Sequence, residues 1–137
     1  MKKVIAKIIC GENGGYDIIL DGDAYGLDYS IYAVGDTLAA AKTNFDECYR
    51  DTRISSEDNN LPFEEVDVTY SYDIPAFLRY YAYALTLAGL SRITGINQGQ
   101  LSHYINGTSR PTARTIDKIQ EAISNFGSEL ADVKFAV

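Results

Sequence analysis

The segment from Thr86 to Thr112 is punctuated so closely that only short helices fit within it. Thr86 can accept a hydrogen bond from a first-turn N–H and open a helix in which Leu87, Leu90 and Ile93 point inward. Gly95 closes that helix, because a residue without Cβ takes the left-handed conformation of a helix end at little steric cost. Asn97 opens the next helix, Asn106-Gly107 ends it, and Thr112 opens another. In that last helix Ile116, Ile119, Ile123 and Phe126 form an apolar stripe and Gly127 supplies the stop. Upstream, Asp73 followed by Pro75 signals a helix start, and Phe77, Leu78, Tyr81 and Leu85 keep helical spacing. The pattern predicts four short helices joined by three-residue turns. Such an all-α unit of roughly sixty residues lies near the lower limit for an independent core.

The helix opened by Asn97 has two chemically distinct sides. Leu101, Tyr104 and Ile105 share one face, while Gly99, Ser102, His103 and Asn106 lie roughly opposite. A helix that reads DNA needs this division: a buried side fixes its angle, and a polar side meets base edges and phosphates. Asn97 and Gln98 stand at the N-terminal end, and Asn or Gln can pair bidentately with adenine. Plainer roles exist for each residue. Asn97 and Gln98 could only cap the helix, Arg110 could bond a helix C-terminus, and His103 could be an incidental surface residue. His103 is the only histidine, and no nucleophile that it could activate stands near it in the sequence. The Tyr80, Tyr81, Tyr83 cluster fits core and interface better than a base-stacking platform.

The stretch GLSRITGI, followed by Gln98, Leu101, Ser102, Asn106-Gly107 and Arg110-Pro111, resembles the lambda-repressor-like (Xre-type) helix-turn-helix family over about 55 residues. The resemblance implies a transcriptional repressor that binds a double-stranded DNA operator as a homodimer or higher homo-oligomer. It places Gln98, Gly99 and His103 at base-contacting positions and Asn97, Ser102, Asn106, Ser109 and Arg110 near phosphates. Gly99 leaves one reading position without a side chain and costs on the order of 1 kcal/mol in helix propensity.

Residues 1–74 follow another period. Val4, Ala6, Ile8 and Cys10 alternate with Lys3, Ile5, Lys7 and Ile9, which is the period of a strand. Asn13-Gly14 marks a hairpin turn, and Tyr16 to Leu20 a second strand. A third strand runs from Tyr29 through Ala33. Asp36 or Thr37 caps a helix whose Leu38, Ala41, Phe45 and Cys48 form an apolar stripe. That helix fades near Arg53, SSEDNN reads as a solvated loop, and Val66, Val68, Tyr70 and Tyr72 alternate in a fourth strand. The expected fold class is therefore α+β: a β-β-β-α-β layer over residues 1–74, then an all-α helix-turn-helix domain over residues 75–137.

Charge divides at the same point. Residues 1–74 carry six Lys/Arg against fifteen Asp/Glu, a net −9, whereas residues 75–137 carry six against four, a net +2. An acidic half should repel DNA and could attract a basic protein. The elements Gly15-Tyr16, Gly26 and Gly35-Asp36-Thr37, with Ala40-Ala41 and Asn44, resemble the HicB antitoxin family. That resemblance implies a partial RNase-H-like fold that binds a small RNase toxin of the HicA type, with the DNA-binding half repressing its own operon. Ala24-Tyr25-Gly26 stands where the family often has a Pro and a Gly-Cys. Asp17, Asp21, Asp23, Asp28 and Glu47 could supply carboxylates for metal-dependent cleavage, but their loop-side placement reads as solvated. Residues 11–15 lack the following helix and Lys of a phosphate loop. No catalytic residue, metal or cofactor is expected.

The composition, 46% hydrophobic and 23% charged, is that of a folded globular protein. No apolar run is long enough to span a bilayer, and MKKVIAKIIC is too short for a signal peptide, so a cytoplasmic, non-membrane protein is expected. Cys10 and Cys48, far apart on apolar faces, read as reduced, buried thiols.

Overall fold

The computed structural model describes residues 1–137, which divide into two compact units, Met1–Ala76 and Phe77–Val137. The first unit contains β1 (Lys2–Cys10), β2 (Tyr16–Leu20), β3 (Ile31–Gly35), α1 (Leu38–Asp58) and β4 (Val66–Tyr72). The sheet order is β3-β2-β1-β4. β1 and β2, and β2 and β3, pair antiparallel, while β4 returns parallel to β1 after α1. A parallel return needs a long crossover, and α1 supplies it.

Period-two alternation decides which side is covered. Val4, Ala6, Ile8, Ile18, Leu20 and Ala33 are buried on one sheet face, against Leu38, Ala41 and Phe45 of α1. The helix can approach so closely because of Gly35. A Cβ built there would stand 2.3 Å from the Ala41 nitrogen, which no side chain could tolerate. Thr37 caps α1, its hydroxyl accepting from the Ala40 N–H at 3.1 Å. Between β1 and β2, Asn13 (φ 55°) and Gly14 (φ 82°) both take the left-handed region, and the Gly11 N–H closes the loop on the Gly15 carbonyl at 2.8 Å.

Two boundaries differ from the sequence expectation. β3 starts at Ile31 rather than Tyr29. The Tyr29 ring instead stacks on Phe63 at 4.8 Å, and its hydroxyl donates to the Glu64 carbonyl at 2.8 Å. α1 does not fade at Arg53; it continues through Ser55, Ser56, Glu57 and Asp58. Once nucleated, a helix extends into solvent at little cost even through polar residues. It stops where Asn59 turns its side-chain amide onto the Ser55 carbonyl at 2.7 Å and Asn60 enters positive φ (55°).

α2 (Ile74–Tyr80) leads into the second unit, which holds a 3₁₀ turn (Tyr81–Tyr83), α3 (Leu87–Thr94), α4 (Gln98–Asn106) and α5 (Ala113–Ala131). Asp73 opens α2 by accepting from the Ala76 N–H at 2.9 Å. The first helix of this half is shorter than its apolar spacing suggested, because the chain tightens at Tyr81 before reaching Leu85. Tyr83 is 79% exposed, so the tyrosine cluster is not a core, although Tyr80, Tyr81 and Tyr83 touch edge-on or stacked. Leu90, Leu101, Tyr104 and Ile119 are the buried centre of α3, α4 and α5. Gly127 does not end α5, which runs on to Ala131 with a helical backbone at Gly127. Its stripe is narrower than expected, since Ile116 is 43% exposed.

Candidate nucleic-acid interface

α3 and α4 are joined by three residues, each with a defined task. Gly95 takes φ 76° and returns its N–H to the Ser91 carbonyl at 2.8 Å. The buried Thr94 hydroxyl donates to the Leu90 carbonyl at 2.7 Å and accepts from the Ile96 N–H at 3.2 Å. Asn97 caps α4, its Oδ1 accepting from the Gln100 N–H at 2.8 Å. The turn is thus satisfied internally and sets the direction in which α4 leaves it.

α4 is held by one side. Leu101 and Tyr104 are buried and Ile105 is half-buried. Gln98, Gly99, His103 and Asn106 are exposed and Ser102 is half-buried, so the polar side predicted from the sequence faces solvent as a single strip. Asn97, also exposed, stands at the N-terminal end of this strip, with its side-chain oxygen engaged by the cap.

The residues after α4 are tied back onto it. Gly107 takes φ 74°, and the Thr108 N–H reaches the His103 carbonyl at 3.0 Å. The Thr108 hydroxyl lies 2.8 Å from His103 Nδ1 and also donates to the His103 carbonyl at 3.3 Å. The contact at Nδ1 holds the ring in place, with donor and acceptor set by the tautomer. Gln100 Nε2 donates to Ser109 Oγ at 3.1 Å, which fixes Ser109 beside the helix. Arg110 is exposed just beyond. The sequence reading missed Gln100 and Thr108, which position two of the candidate contacts. The spacing Asn97-x-x-Gln100, a cap followed by Gln three residues on, was the available signal for the first. Nothing comparable marked Thr108.

The electrostatics are sharper than the half-chain average suggested. Asp73 and Asp117 bracket a stretch without a single carboxylate side chain, within which stand Arg79, Arg92, Arg110 and Arg114. The N-terminus of α4 adds the partial positive charge of its unpaired N–H groups.

Residues 82–124 match the helix-turn-helix family model. The match covers α3, α4 and the first part of α5, so this segment is similar to an Xre-type helix-turn-helix domain, with α4 at the place of the motif's second helix. In this motif the second helix enters the major groove. No curated protein and no solved structure matches the chain. The family match leaves residues 1–81 and 125–137 unassigned.

The acidic candidates of the first unit do not converge. Asp17 accepts a short hydrogen bond from the Tyr32 hydroxyl, and Asp21 Oδ1 accepts from the Asp23 N–H at 3.1 Å. Nowhere do three His, Cys, Asp or Glu side chains gather as a metal would require. Cys10 and Cys48 are not joined in a disulfide, and each is half-buried rather than buried. No helix is long and apolar enough to cross a membrane.

Proposed function

We propose that this chain is a cytoplasmic transcriptional repressor that binds its operator as a homodimer, with α4 in the major groove. The observation that carries the reading is the division of α4: Leu101 and Tyr104 buried, Gln98, His103 and Asn106 exposed beside a stretch free of carboxylates. In this reading Gln98 and His103 read bases, while Ser102, Asn106, Ser109 and Arg110 contact phosphates. Gly99 allows close backbone approach, and Asn97 contributes its amide nitrogen. A dimer is invoked because one nine-residue helix reads too few base pairs alone. Protection of a pseudo-palindromic site in the protein's own promoter, lost on Gln98→Ala, is the expected footprint. A pattern of uniform protection on any DNA would overturn the reading.

The first unit supports a second function, as the antitoxin half of a toxin-antitoxin pair. Its β-β-β-α-β order agrees with the HicB resemblance, and its net −9 charge suits a basic RNase partner of the HicA type, whose RNA-binding face it would cover. On this view the unit is a binding module and not an enzyme, and it needs no metal or cofactor. Co-expression with the product of an adjoining basic open reading frame should yield a complex that co-purifies and lacks RNase activity. If no neighbouring product binds, the chain is a stand-alone repressor whose first unit serves oligomerisation or ligand sensing.

A further inference from the structure

The glycines of the second unit differ in what the fold asks of them. Gly95 and Gly107 hold φ 76° and 74°, the left-handed region, where they end α3 and α4. A side chain at either would be strained whatever space surrounds it. Gly99 carries no such demand. It lies in the first turn of α4, without a positive φ. A Cβ built on it would meet only Asn97 Oδ1, at 3.4 Å, which is an ordinary van der Waals distance. The folded chain therefore has room for alanine, and alanine is the better helix former. Nothing inside the protein accounts for the missing side chain, and the position is exposed on the strip that faces outward.

The neighbours in that turn narrow what the bare position can meet. Asn97 Oδ1 is engaged by the Gln100 N–H at 2.8 Å, and Gln100 Nε2 is engaged by Ser109 Oγ at 3.1 Å. Gln98 and Gly99 are both exposed and carry neither tie. The turn thus presents one long amide side chain beside a patch of bare backbone. Gln98 can pair bidentately with adenine. Gly99 has no side-chain donor or acceptor, so it can select a base only by shape. Thymine alone among the four bases puts an apolar group, its 5-methyl, on the major-groove edge. That methyl needs the space that an alanine Cβ would fill.

We propose that Gly99 is a specificity-determining residue that receives the 5-methyl group of a thymine beside the adenine read by Gln98. The inference deepens the repressor reading and rests on it: it names the base chemistry selected by the N-terminal end of α4, two adjoining A·T pairs. The preference comes from burying the methyl against the glycine backbone. A cytosine at the same place leaves the recess unfilled.

Exchanging one methyl between protein and DNA tests this, by fluorescence anisotropy at fixed salt on the operator defined by footprinting. Each thymine in the region contacted by α4 is replaced in turn by uracil, which lacks only the 5-methyl. One replacement should weaken wild-type binding about fourfold, the worth of one buried methyl. Gly99→Ala should bind the thymine operator at least about fivefold more weakly than wild type, because two methyls then compete for one recess. On that one uracil operator it should return to within about twofold of wild type on thymine. Gly99→Ala and Gly127→Ala should both raise the urea midpoint, and Gly127→Ala, in α5 with open space around its Cβ, should leave DNA binding unchanged. A lowered urea midpoint in Gly99→Ala makes the glycine a structural residue and overturns the proposal. So does Gly99→Ala binding the thymine operator as tightly as wild type, an equal loss of binding in Gly127→Ala, or a uracil effect that is the same in both proteins at every position. A wild type that binds no specific duplex refutes the repressor reading, and the proposal falls with it. One that binds a specific operator with no methyl-sensitive thymine refutes the proposal alone.

Discussion

Asn97 offers a way to separate what builds the reading helix from what touches DNA. Its Oδ1 caps α4 through the Gln100 N–H at 2.8 Å, while its side chain stands exposed at the end expected to face the duplex. Asn97→Ala removes the cap and should cost about 1 kcal/mol of stability. Asn97→Asp keeps an equally good cap oxygen, and its negative charge at a helix N-terminus should offset the substitution by a few tenths of a kcal/mol. The same charge is harmful once DNA is present. A carboxylate about 6 Å from a phosphate is repelled by about 0.7 kcal/mol in bulk-water dielectric and about 3 kcal/mol at an effective dielectric of 20. Operator affinity of Asn97→Asp should thus fall between about threefold and a hundredfold while its urea midpoint holds or rises. Urea unfolding followed by helical circular dichroism gives the stability, and anisotropy at fixed salt gives the affinity. If Asn97→Asp is destabilised as much as Asn97→Ala, the cap geometry is wrong. If Asn97→Asp binds operator as tightly as wild type, the N-terminus of α4 does not face the phosphates.

Leu101 is 1% exposed, so Leu101→Ala should cost about 2–5 kcal/mol. A unit of roughly sixty residues has about 3–9 kcal/mol to lose, so DNA binding should disappear together with the cooperative melt. Gln98→Ala and His103→Ala should each weaken operator binding by about 1–3 kcal/mol and leave non-specific DNA binding nearly unchanged; equal losses on all sequences would mean that neither reads a base. Arg110→Ala should weaken both kinds of binding and reduce the salt slope by about one. The Tyr29 hydroxyl is pushed up to about 12, first by burial and then by Tyr49 and Glu64. A folded value above the unfolded 10 adds stability below pH 10 that is lost as pH rises toward 12. Tyr29→Phe should flatten that stretch of the pH–stability curve, as measured by urea midpoints at each pH, and remove the late step from the tyrosinate absorbance titration.

The second unit was legible because caps and stops are local chemistry. Thr86, Gly95, Asn97, Gly107 and Thr112 each act on groups within a few residues, and each does so in the structure as its type dictates. Gly127 misled for the same reason. A glycine ends a helix only when the chain beyond it has somewhere better to go, and here the helix simply continues into solvent. The polar end of α1 failed likewise, because Ser, Glu and Asp extend a nucleated helix that propensity alone would not start. The alternation in β1 and β4 located the buried sheet face, but it could not tell that the opposite face would stay uncovered or that the edges would be taken by Asn44 and Tyr49. Those are contacts across ten and seventeen residues of sequence, and no local pattern encodes them.

Charge placement ties the two units into one functional argument. Arg92, Arg110 and Arg114 are exposed in the carboxylate-free stretch, and if each neutralises one phosphate, one copy gives a salt slope of about −2.7 and two copies about −5.4. One copy alone would therefore hold DNA weakly at physiological salt, and the −9 of the first unit weakens it further at long range. Weak general attraction raises the share of binding that must come from base contacts, which favours discrimination over residence on random DNA. It also makes pairing of two chains a condition of useful affinity.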